Sequence, residues 1–329
     1  MLAPFSRIAV LGAGAWGTAM AIHAAKYHAN AVLLSRSIAG ATLLQTHREN
    51  INYLAGQTFP PALSISADAT LMRGALVLIA APVVGLSAAL AAAQAQGASA
   101  AVWLCKGLDS SSAKLPHETA LQLNIQLPTG VLSGPSFAKE VALGLPTALT
   151  VASGNEGLNL AVQIALHHGA LRVYTSVDVI GVEVGGALKN VIALACGISD
   201  GLQLGMNARA ALITRGLAET TRFAAALGGK ADTLMGLTGA GDLVLTCTGS
   251  LSRNRSYGLL LAQGKAPASI EAELGHVAEG ARCVAAIARR AASLGVDLPI
   301  TQAVARIVAG EINPLQALQT MLARDAKAE

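Results

Sequence analysis

The sequence predicts an α/β protein in which a doubly wound N-terminal domain with a parallel sheet precedes an all-helical C-terminal domain. Between residue 7 and about residue 175, short apolar runs alternate with helical patterns, as in successive βαβ units. From about residue 179 the strand signal stops and only helical patterns follow. The 329 residues suit two domains of roughly 100 to 200 residues each. We therefore expect domains at residues 1–178 and 179–329.

Six apolar runs supply the predicted strands of the N-terminal domain. They are short and continuous rather than alternating, which is typical of strands whose two faces are both covered by helices. In chain order they are "RIAVLG", "AVLLSR", "ALVLIAAP", "AAVWLCKG", "GVLSGP" and "TALTVAS". We therefore expect a parallel sheet between two layers of helices.

The C-terminal domain contains four clear helical patterns. One runs through Lys189, a second across "NARAALITRGLAETTRFAAAL" and a third across "AEGARCVAAIARRAASL". The last begins at Asn313 and Pro314, which are a favourable cap and first helical residue.

The composition raises the question of a membrane protein, because mean hydropathy is +0.52. The longest run without charge, residues 74–105, is long enough to cross a bilayer. It reads instead as a strand ending at Pro82, an amphipathic helix containing Gln94 and Gln96, and a second strand. We expect no transmembrane segment. The first strand follows the start without an apolar signal region, so we expect a cytoplasmic protein.

Charge and cysteine usage narrow the classes of partner. The net charge of +4 comes without a basic tract, so nucleic acid is not an expected partner and an anionic small molecule is. The four cysteines are far apart and form no CxxC pair, and the adjacent His167 and His168 have no third ligand at suitable spacing. We therefore expect reduced thiols and no metal site.

The stretch "VLGAGAWGTA" indicates a dinucleotide site of the Rossmann type. It places Gly12, Gly14 and Gly17 between a predicted strand and a predicted helix, the context that gives a GxGxxG pattern its meaning. The first glycine permits a tight turn, the second lets backbone approach a pyrophosphate, and the third lets helix and strand pack closely. The helix N-terminus then faces the anion.

The end of the second predicted strand favours NADPH over NADH. A site selective for NADH has Asp or Glu there, about 20 residues after the glycines. This chain has "LLSRS" and no acidic residue before Glu49, so Arg36 is placed to meet a 2′-phosphate. The residues leave NADH open as a cofactor.

Lys189 lies in the apolar stretch "VEVGGALKNVIALACGI". Its helical neighbours at three and four residues are Gly185, Gly186, Ile192 and Ala193, none of which offers a carboxylate. A buried unpaired ammonium is costly, so the side chain either extends to the surface or lies in a cleft with a partner from elsewhere.

Three further stretches place polar residues in turns. "VWLCKGL" puts Lys106 directly after a strand, and "SGPSFAKEVA" puts Gly134 and Ser136 in the turn after the next strand. Open α/β sheets bind ligands at such carboxyl ends. "GLTGAGDLVLTCTGSLSRNRSYG" holds Asp242 between glycines and then "SRNR" before a helix, where arginine and backbone amides form a phosphate site.

Together these stretches resemble the bacterial NAD(P)-dependent glycerol-3-phosphate dehydrogenases. The resemblance is carried by "GAGAWGTA", "CKGL", "SGPSFAKEVA", "VEVGGALKNVIALACGISDGL", "NARAALITRGLAE" and "LTGAGDLVLTCTGSLSRNRSYG", and covers nearly the whole chain in order. It implies the reversible reduction of dihydroxyacetone phosphate to sn-glycerol 3-phosphate with NADPH or NADH. It also implies a role in phospholipid synthesis and a homodimer.

The resemblance implies a set of site residues. The catalytic proton donor and acceptor matches Lys189, and we expect Asp242 to be its missing partner. Positions matching substrate-binding residues are Lys106, Gly134, Ser136, Lys189, Asp242, Ser252, Arg253 and Asn254. Positions matching dinucleotide-binding residues, with the glycine loop, are Gly12, Gly14, Trp16, Gly17, Arg36, Lys106, Ala138, Arg253 and Glu279.

Two other functions remain compatible with the two-domain layout. β-Hydroxyacid dehydrogenases and ketopantoate reductases also join a glycine-loop domain to a helical domain and use a lysine, but the residues from Ser252 to Asn254 favour a phosphorylated substrate. A non-catalytic dinucleotide sensor would bind the cofactor without turnover. Retention of Lys106, Lys189 and Asp242 argues against the sensor.

Overall fold

A computed structural model describes residues 5–274 and 278–323. The chain divides into two compact units. Unit 1 comprises Met1–Lys106 and Lys114–Glu183, and unit 2 comprises Gly107–Ala113 and Val184–Glu329.

Unit 1 contains the β-strands of the described residues. They are β1 (Ile8–Leu11), β2 (Ala31–Leu34), β3 (Glu49–Asn50), β4 (Leu54–Thr58), β5 (Ser64–Ser66), β6 (Leu76–Ile79), β7 (Ala100–Trp103), β8 (Thr129–Ser133), β9 (Thr147–Ala152) and β10 (Leu171–Ser176). Eight of them form one sheet in the order β10-β9-β8-β7-β6-β1-β2-β5, and β3 and β4 form a separate antiparallel pair.

The helices of unit 1 connect these strands. They are α1 (Ala15–Tyr27), α2 (Ile38–His47), α3 (Leu86–Ala95), α4 (Pro116–Gln122), α5 (Ala138–Leu143) and α6 (Glu156–Leu166). Strand order reverses at β1, which lies between β2 and β6. This is a doubly wound sheet, so the predicted fold class is confirmed.

Both faces of the sheet are buried, as the continuous apolar runs predict. In β6, Leu76 and Leu78 belong to one hydrophobic core, and Val77 and Ile79 belong to the other. This alternation follows from the two-residue period of a strand. Residues of α1, α5 and α6 complete the first core, and residues of α3 and α4 complete the second.

One pair of strands departs from the expected parallel arrangement. β9 runs antiparallel to its neighbour β8. Every other pair of neighbouring strands in the eight-stranded sheet is parallel. The connection between β8 and β9 contains only the six-residue α5, which spans about 9 Å. A strand of six residues, such as β9, is about 20 Å long. The short helix does not return the chain to the opposite edge, so β9 starts at the edge where β8 ends.

A single long helix, α7 (Val179–Gly201), runs from the end of unit 1 into unit 2. Among the described residues it alone is long and apolar enough to cross a membrane by length and composition, and 89% of its most apolar window is buried inside the protein. A core helix has the same composition. Residues 74–105 form β6, α3 and β7, as the sequence predicts.

Unit 2 is helical in its described part. Besides α7 it contains α8 (Gly205–Ala226), α9 (Ala231–Met235), α10 (Asp242–Thr248), α11 (Arg253–Ala262), α12 (Pro267–Leu274), α13 (Glu279–Ser293), α14 (Pro299–Val308) and α15 (Pro314–Leu322). The predicted start of the last helix is confirmed, because Asn313 caps α15 by accepting a hydrogen bond from the amide of Gln316 at 2.9 Å. The N-terminus of α14 is capped from a distance by Glu219 of α8, whose carboxylate accepts hydrogen bonds from the amides of Ile300 and Thr301.

A cluster of basic and aromatic side chains lies where α1 and α6 end. Its rings belong to His23, Tyr27, His28 and His168. His23 is 6% exposed, and its Nε2 lies 2.9 Å from the carbonyl oxygen of Leu166. Burial is the main cause that lowers the pKa of His23, and the positive charges of His168, Lys26 and His28 act in the same direction. The hydrogen bond to Leu166 offsets part of this effect.

We expect this histidine to make the protein less stable in mild acid. Because the folded-state pKa of His23 is depressed, the unfolded chain binds more protons than the native protein once pH falls below about 6.5. The free energy of unfolding should therefore decrease as pH falls through that value. Urea titrations at pH 7.5 and 5.5 should show a larger loss for the wild type than for His23→Gln. The exposed His47→Gln should behave as the wild type, and equal losses in all three proteins would contradict the assignment.

Candidate active site

The glycine loop of unit 1 joins β1 to α1. Gly12 has φ of +117°, and a Cβ there would lie 3.0 Å from the carbonyl carbon of Ala80 at the end of β6. A Cβ on Gly17 would lie 2.0 Å from the carbonyl oxygen of Gly12. A Cβ on Gly14 would have no atom within 4 Å. The first and third glycines are therefore required by packing, whereas the second borders open space.

The open space lies at the N-terminus of α1. Gly14 is the N-cap residue and supplies no side-chain acceptor, and no acidic residue lies in the first turn. The first amides of a helix have no intrahelical partner and attract anions. Trp16, in that first turn, is half-buried and packs against the core. The first amides of α1 therefore face open space, an arrangement that suits an anion.

Asn50 holds the glycine loop and was not found by the sequence analysis. It is 3% exposed, and its Nδ2 donates to the carbonyl oxygen of Ala13 at 2.9 Å and to Oγ1 of Thr18 at 2.7 Å. An asparagine in β3, outside any motif, gives no sequence signal of this contact.

Arg36 lies two residues beyond the end of β2 and is exposed. The next residue, Ser37, caps α2 by accepting a hydrogen bond from the amide of Gly40 at 3.1 Å. Arg36 therefore lies at the carboxyl edge of the sheet, and the loop of residues 35–37 contains no acidic residue.

The structure brings Lys106, Gly134 and Ser136 together at the same edge. Nζ of Lys106 donates to the carbonyl oxygen of Gly134 at 3.2 Å, and Oγ of Ser136 donates to the same oxygen at 3.0 Å. Gly134 has φ of +135°, and a Cβ there would lie 2.9 Å from the carbonyl oxygen of Ala148. Ala138 follows Ser136 by two residues, is the first residue of α5 and is half-buried.

The centre of unit 2 is an ion pair between Lys189 and Asp242. Lys189 is 8% exposed and Asp242 is fully buried. Nζ of Lys189 donates to Oδ1 of Asp242 at 2.5 Å and to Oγ1 of Thr246 at 3.0 Å. The partner that the sequence analysis expects for this lysine is therefore present, and a paired charge is far less costly to bury than an isolated one.

A π-helical turn over Leu237–Gly241 precedes Asp242. Its backbone is tightly packed, because a Cβ on Gly239 would lie 1.9 Å from the carbonyl oxygen of Leu234 and one on Gly185 of α7 would lie 2.4 Å from the carbonyl oxygen of Thr238. Single π turns often mark functional sites. Here Gly185 lets the turn press against α7, the helix that carries Lys189, and Gly239 lets the turn itself close on Leu234.

Ser252, Arg253 and Asn254 form the first turn of α11. Ser252 is the N-cap, and its Oγ accepts a hydrogen bond from the amide of Arg255 at 3.3 Å. Arg253 is exposed, whereas Asn254 is buried. The amides of Arg253 and Asn254 lie in the first turn, where helix geometry supplies no acceptor.

The side chain of Asn254 is engaged inside unit 2. Its Nδ2 donates to Oδ1 of Asn190 at 2.9 Å, and its Oδ1 accepts from the amide of Gly280 at 2.9 Å. The half-buried Glu279 precedes Gly280 at the start of α13. Asn190, next to Lys189, is a further residue that the sequence analysis missed, because a polar residue within an apolar helix does not reveal its partner.

Comparison with protein-family models assigns both parts of the chain. Residues 7–159 match the N-terminal part of the NAD-dependent glycerol-3-phosphate dehydrogenases, and residues 178–319 match their C-terminal part. The chain belongs to the NAD-dependent glycerol-3-phosphate dehydrogenase family. The resemblance seen in the sequence is therefore confirmed.

Individual members of the glycerol-3-phosphate dehydrogenase family match over almost their full length. A glycerol-3-phosphate dehydrogenase [NAD(P)+] from Ralstonia nicotianae is 52% identical over 98% of this chain and 99% of its own. The crystal structure of glycerol-3-phosphate dehydrogenase from Coxiella burnetii has a TM-score of 0.92 at 39% identity, covering 97% of this chain and 99% of its own. A ketopantoate reductase from Ralstonia eutropha covers 95% of this chain and 99% of its own with a TM-score of 0.56 at 18% identity, which shows a shared fold alone.

Two glycine substitutions should separate packing from ligand approach in the loop. Gly17→Ala introduces a methyl group 2.0 Å from a carbonyl oxygen, so we expect a lower melting temperature. Gly14→Ala fills only open space, so it should fold normally and weaken NADPH binding by about tenfold or more, because the methyl group blocks the approach of the pyrophosphate. Thermal unfolding and fluorescence titration with NADPH measure the two effects. Full NADPH affinity in Gly14→Ala would show that the dinucleotide does not approach this turn.

Proposed function

We propose that this chain catalyses the reversible NAD(P)H-dependent reduction of dihydroxyacetone phosphate to sn-glycerol 3-phosphate. The observation that carries the proposal is the buried Lys189–Asp242 pair in a chain that belongs to the glycerol-3-phosphate dehydrogenase family. Reduction of a ketone requires a group that stabilises and protonates the carbonyl oxygen. A lysine ammonium performs both tasks.

In this proposal, residues 1–178 form the dinucleotide-binding domain, and residues 179–329 carry the proton-transfer and phosphate-binding groups together with two further cofactor contacts. The open space at Gly14 fits a pyrophosphate on the amides of α1. Trp16, Ala138, Arg253 and Glu279 are the further cofactor contacts we propose, and Arg36 is placed to favour NADPH through its 2′-phosphate. Bound in this way, the reduced nicotinamide supplies the hydride.

Lys189 then acts on the oxygen at C2 of the substrate. Its Nζ donates a hydrogen bond to the oxygen as negative charge develops and transfers the proton that completes the alcohol. Asp242 and Thr246 hold the ammonium by the hydrogen bonds described above, which fixes its direction and offsets the cost of burial. In the reverse direction the neutral amine accepts the proton from the alcohol.

The phosphate group of the substrate is the proposed ligand of the first turn of α11. The exposed guanidinium of Arg253 and the helix amides suit a dianion. Ser252 caps the same turn, and Asn254 anchors it through Asn190 and Gly280. Lys106, Gly134 and Ser136 form the further substrate contacts that we propose.

We further propose that the enzyme is a cytoplasmic homodimer that supplies the glycerol backbone for phospholipid synthesis. Family membership supports this role because sn-glycerol 3-phosphate is the product of the proposed reaction. Sedimentation of the purified protein and fractionation of cells test the assembly and the location.

The reaction is tested by following NADPH absorbance with dihydroxyacetone phosphate as substrate. We expect rapid oxidation with the phosphorylated ketone and very slow oxidation with unphosphorylated dihydroxyacetone, because the latter lacks the group bound by α11. NADPH should be used more efficiently than NADH, because Arg36 is placed to meet the 2′-phosphate and no acidic residue directly follows β2. No oxidation by a protein that binds NADPH would overturn the proposed substrate, and a preference for NADH would overturn the role of Arg36.

Substitution of the lysine should separate its catalytic role from its role in packing. Lys189→Met should reduce turnover by about 10²- to 10⁴-fold, because no group remains to protonate the oxygen. It should also lower the free energy of unfolding by about 3–5 kcal/mol, because the buried carboxylate of Asp242 loses the positive charge of Lys189. In the double variant Lys189→Met/Asp242→Asn, stability should recover while turnover does not. NADPH binding serves as the control for both proteins, and near-normal turnover in either would exclude the catalytic role.

A further inference from the structure

Asp200, in the last turn of α7, joins three helices of unit 2. Its Oδ1 accepts hydrogen bonds from Nε and Nη2 of Arg209 on α8, at 2.8 and 2.5 Å. Its Oδ2 accepts a hydrogen bond from Nε of Arg255 on α11 at 2.6 Å. The side chains of Asp200, Arg209 and Arg255 are 8%, 16% and 19% exposed, respectively. Ion pairs this well shielded from water are less screened than surface pairs.

α11 also contacts α7 directly through backbone. A Cβ on Gly197 of α7 would lie 2.0 Å from the carbonyl oxygen of Arg255, and a Cβ on Gly258 of α11 would lie 2.2 Å from the carbonyl oxygen of Leu194. The Asn190–Asn254 hydrogen bond provides a second polar link between the same helices. Steric contact therefore sets how closely the helices approach, and the polar links set their register.

The two arginines of "SRNR" consequently have different environments. Arg255 points into unit 2 and binds Asp200. Arg253 is exposed and forms no ion pair or side-chain hydrogen bond with any residue that the structure describes. Residue types alone do not distinguish them, because both are arginines in one helical turn.

We propose that Asp200 is a positioning residue for recognition of the substrate phosphate. By binding Arg255, it fixes the first turn of α11 on the helix that carries Lys189, and it leaves Arg253 as the arginine of this turn that binds the phosphate. Asp200 follows Lys189 by eleven residues, or roughly 16 Å along α7. The inference rests on the proposed function, which assigns the substrate phosphate to this turn.

The test compares Asp200→Asn, Arg255→Gln and their double variant with the wild type. Asp200→Asn should raise KM for dihydroxyacetone phosphate by about tenfold and leave kcat within about twofold, because the carboxylate acts on phosphate binding and not on proton transfer. The same variant should weaken binding of inorganic phosphate to the full chain, measured by calorimetry, by a similar factor. Activity with unphosphorylated dihydroxyacetone should not change. Arg255→Gln should give the same pattern, and the double variant should be no worse than either single variant, because both remove one interaction.

The matched control is Glu311→Gln, which breaks the exposed ion pair with Arg306, 3.5 Å apart, in the same unit. It should change neither KM nor phosphate affinity.

If Asp200→Asn does not fold, Arg255→Lys replaces it. This variant keeps the charge but loses the planar guanidinium, so its rise in KM should be smaller than that of Arg255→Gln. Unchanged KM and unchanged phosphate affinity in a folded Asp200 or Arg255 variant would overturn the positioning role, and so would equal losses with both ketones. If the wild type fails to reduce dihydroxyacetone phosphate, the proposed function fails while phosphate calorimetry still decides whether Asp200 orders an anion site.

Discussion

The burial of one ammonium group constrains the packing of unit 2. Lys189 occupies a helix whose neighbouring side chains are almost all apolar, so its charge must be satisfied by groups from another element. Asp242 and Thr246 of α10 provide them. For α10 to approach closely enough, the π turn before it must press its backbone against α7, and Gly185 makes this possible. The positions of a lysine and an aspartate thus account for a glycine that has no polar role.

Unit 1 meets a different requirement, which is to leave backbone amides accessible. Gly12 and Gly17 close the turn between β1 and α1, and Gly14 keeps the space above the helix N-terminus open. A turn built from glycines is flexible unless other groups hold it. Asn50 supplies that restraint by donating to the carbonyl oxygen of Ala13. A fixed arrangement of amides reduces the entropy lost when an anion binds.

The fold class and the local parts of the site could be predicted from sequence because their signals are short-range. The glycine loop and the isolation of Lys189 in an apolar helix can each be read from one short stretch of sequence. The partner of Lys189, Asp242, lies 53 residues away and is predictable only because it stands in a motif that resembles the family. No motif indicates the contacts of Asn50 and Asn190, whose side-chain partners lie 32 and 64 residues away, or those of Asp200, which binds Arg209 nine residues on and Arg255 55 residues on. The antiparallel pairing of β9 also escaped prediction, since apolar runs do not encode strand direction. Only the short length of α5 indicates it once the helix bounds are known.

Asn254 shows why matching a motif residue to a ligand leaves its physical role open. The sequence places it among phosphate-binding residues, but its side chain is buried and bonded to Asn190 and Gly280. The group of Asn254 that remains available to an anion is its backbone amide, which lies beside the amide of Arg253 at the start of α11. In the proposed function, recognition of a dianion there combines helix amides with the one exposed guanidinium of Arg253, while Asn254 and Arg255 hold the helix. A ketopantoate reductase shares this fold at 18% identity, so the fold by itself does not select the substrate. In the proposed function, selection of the substrate rests on the residues that anchor α11 as well as on those that touch the ligand.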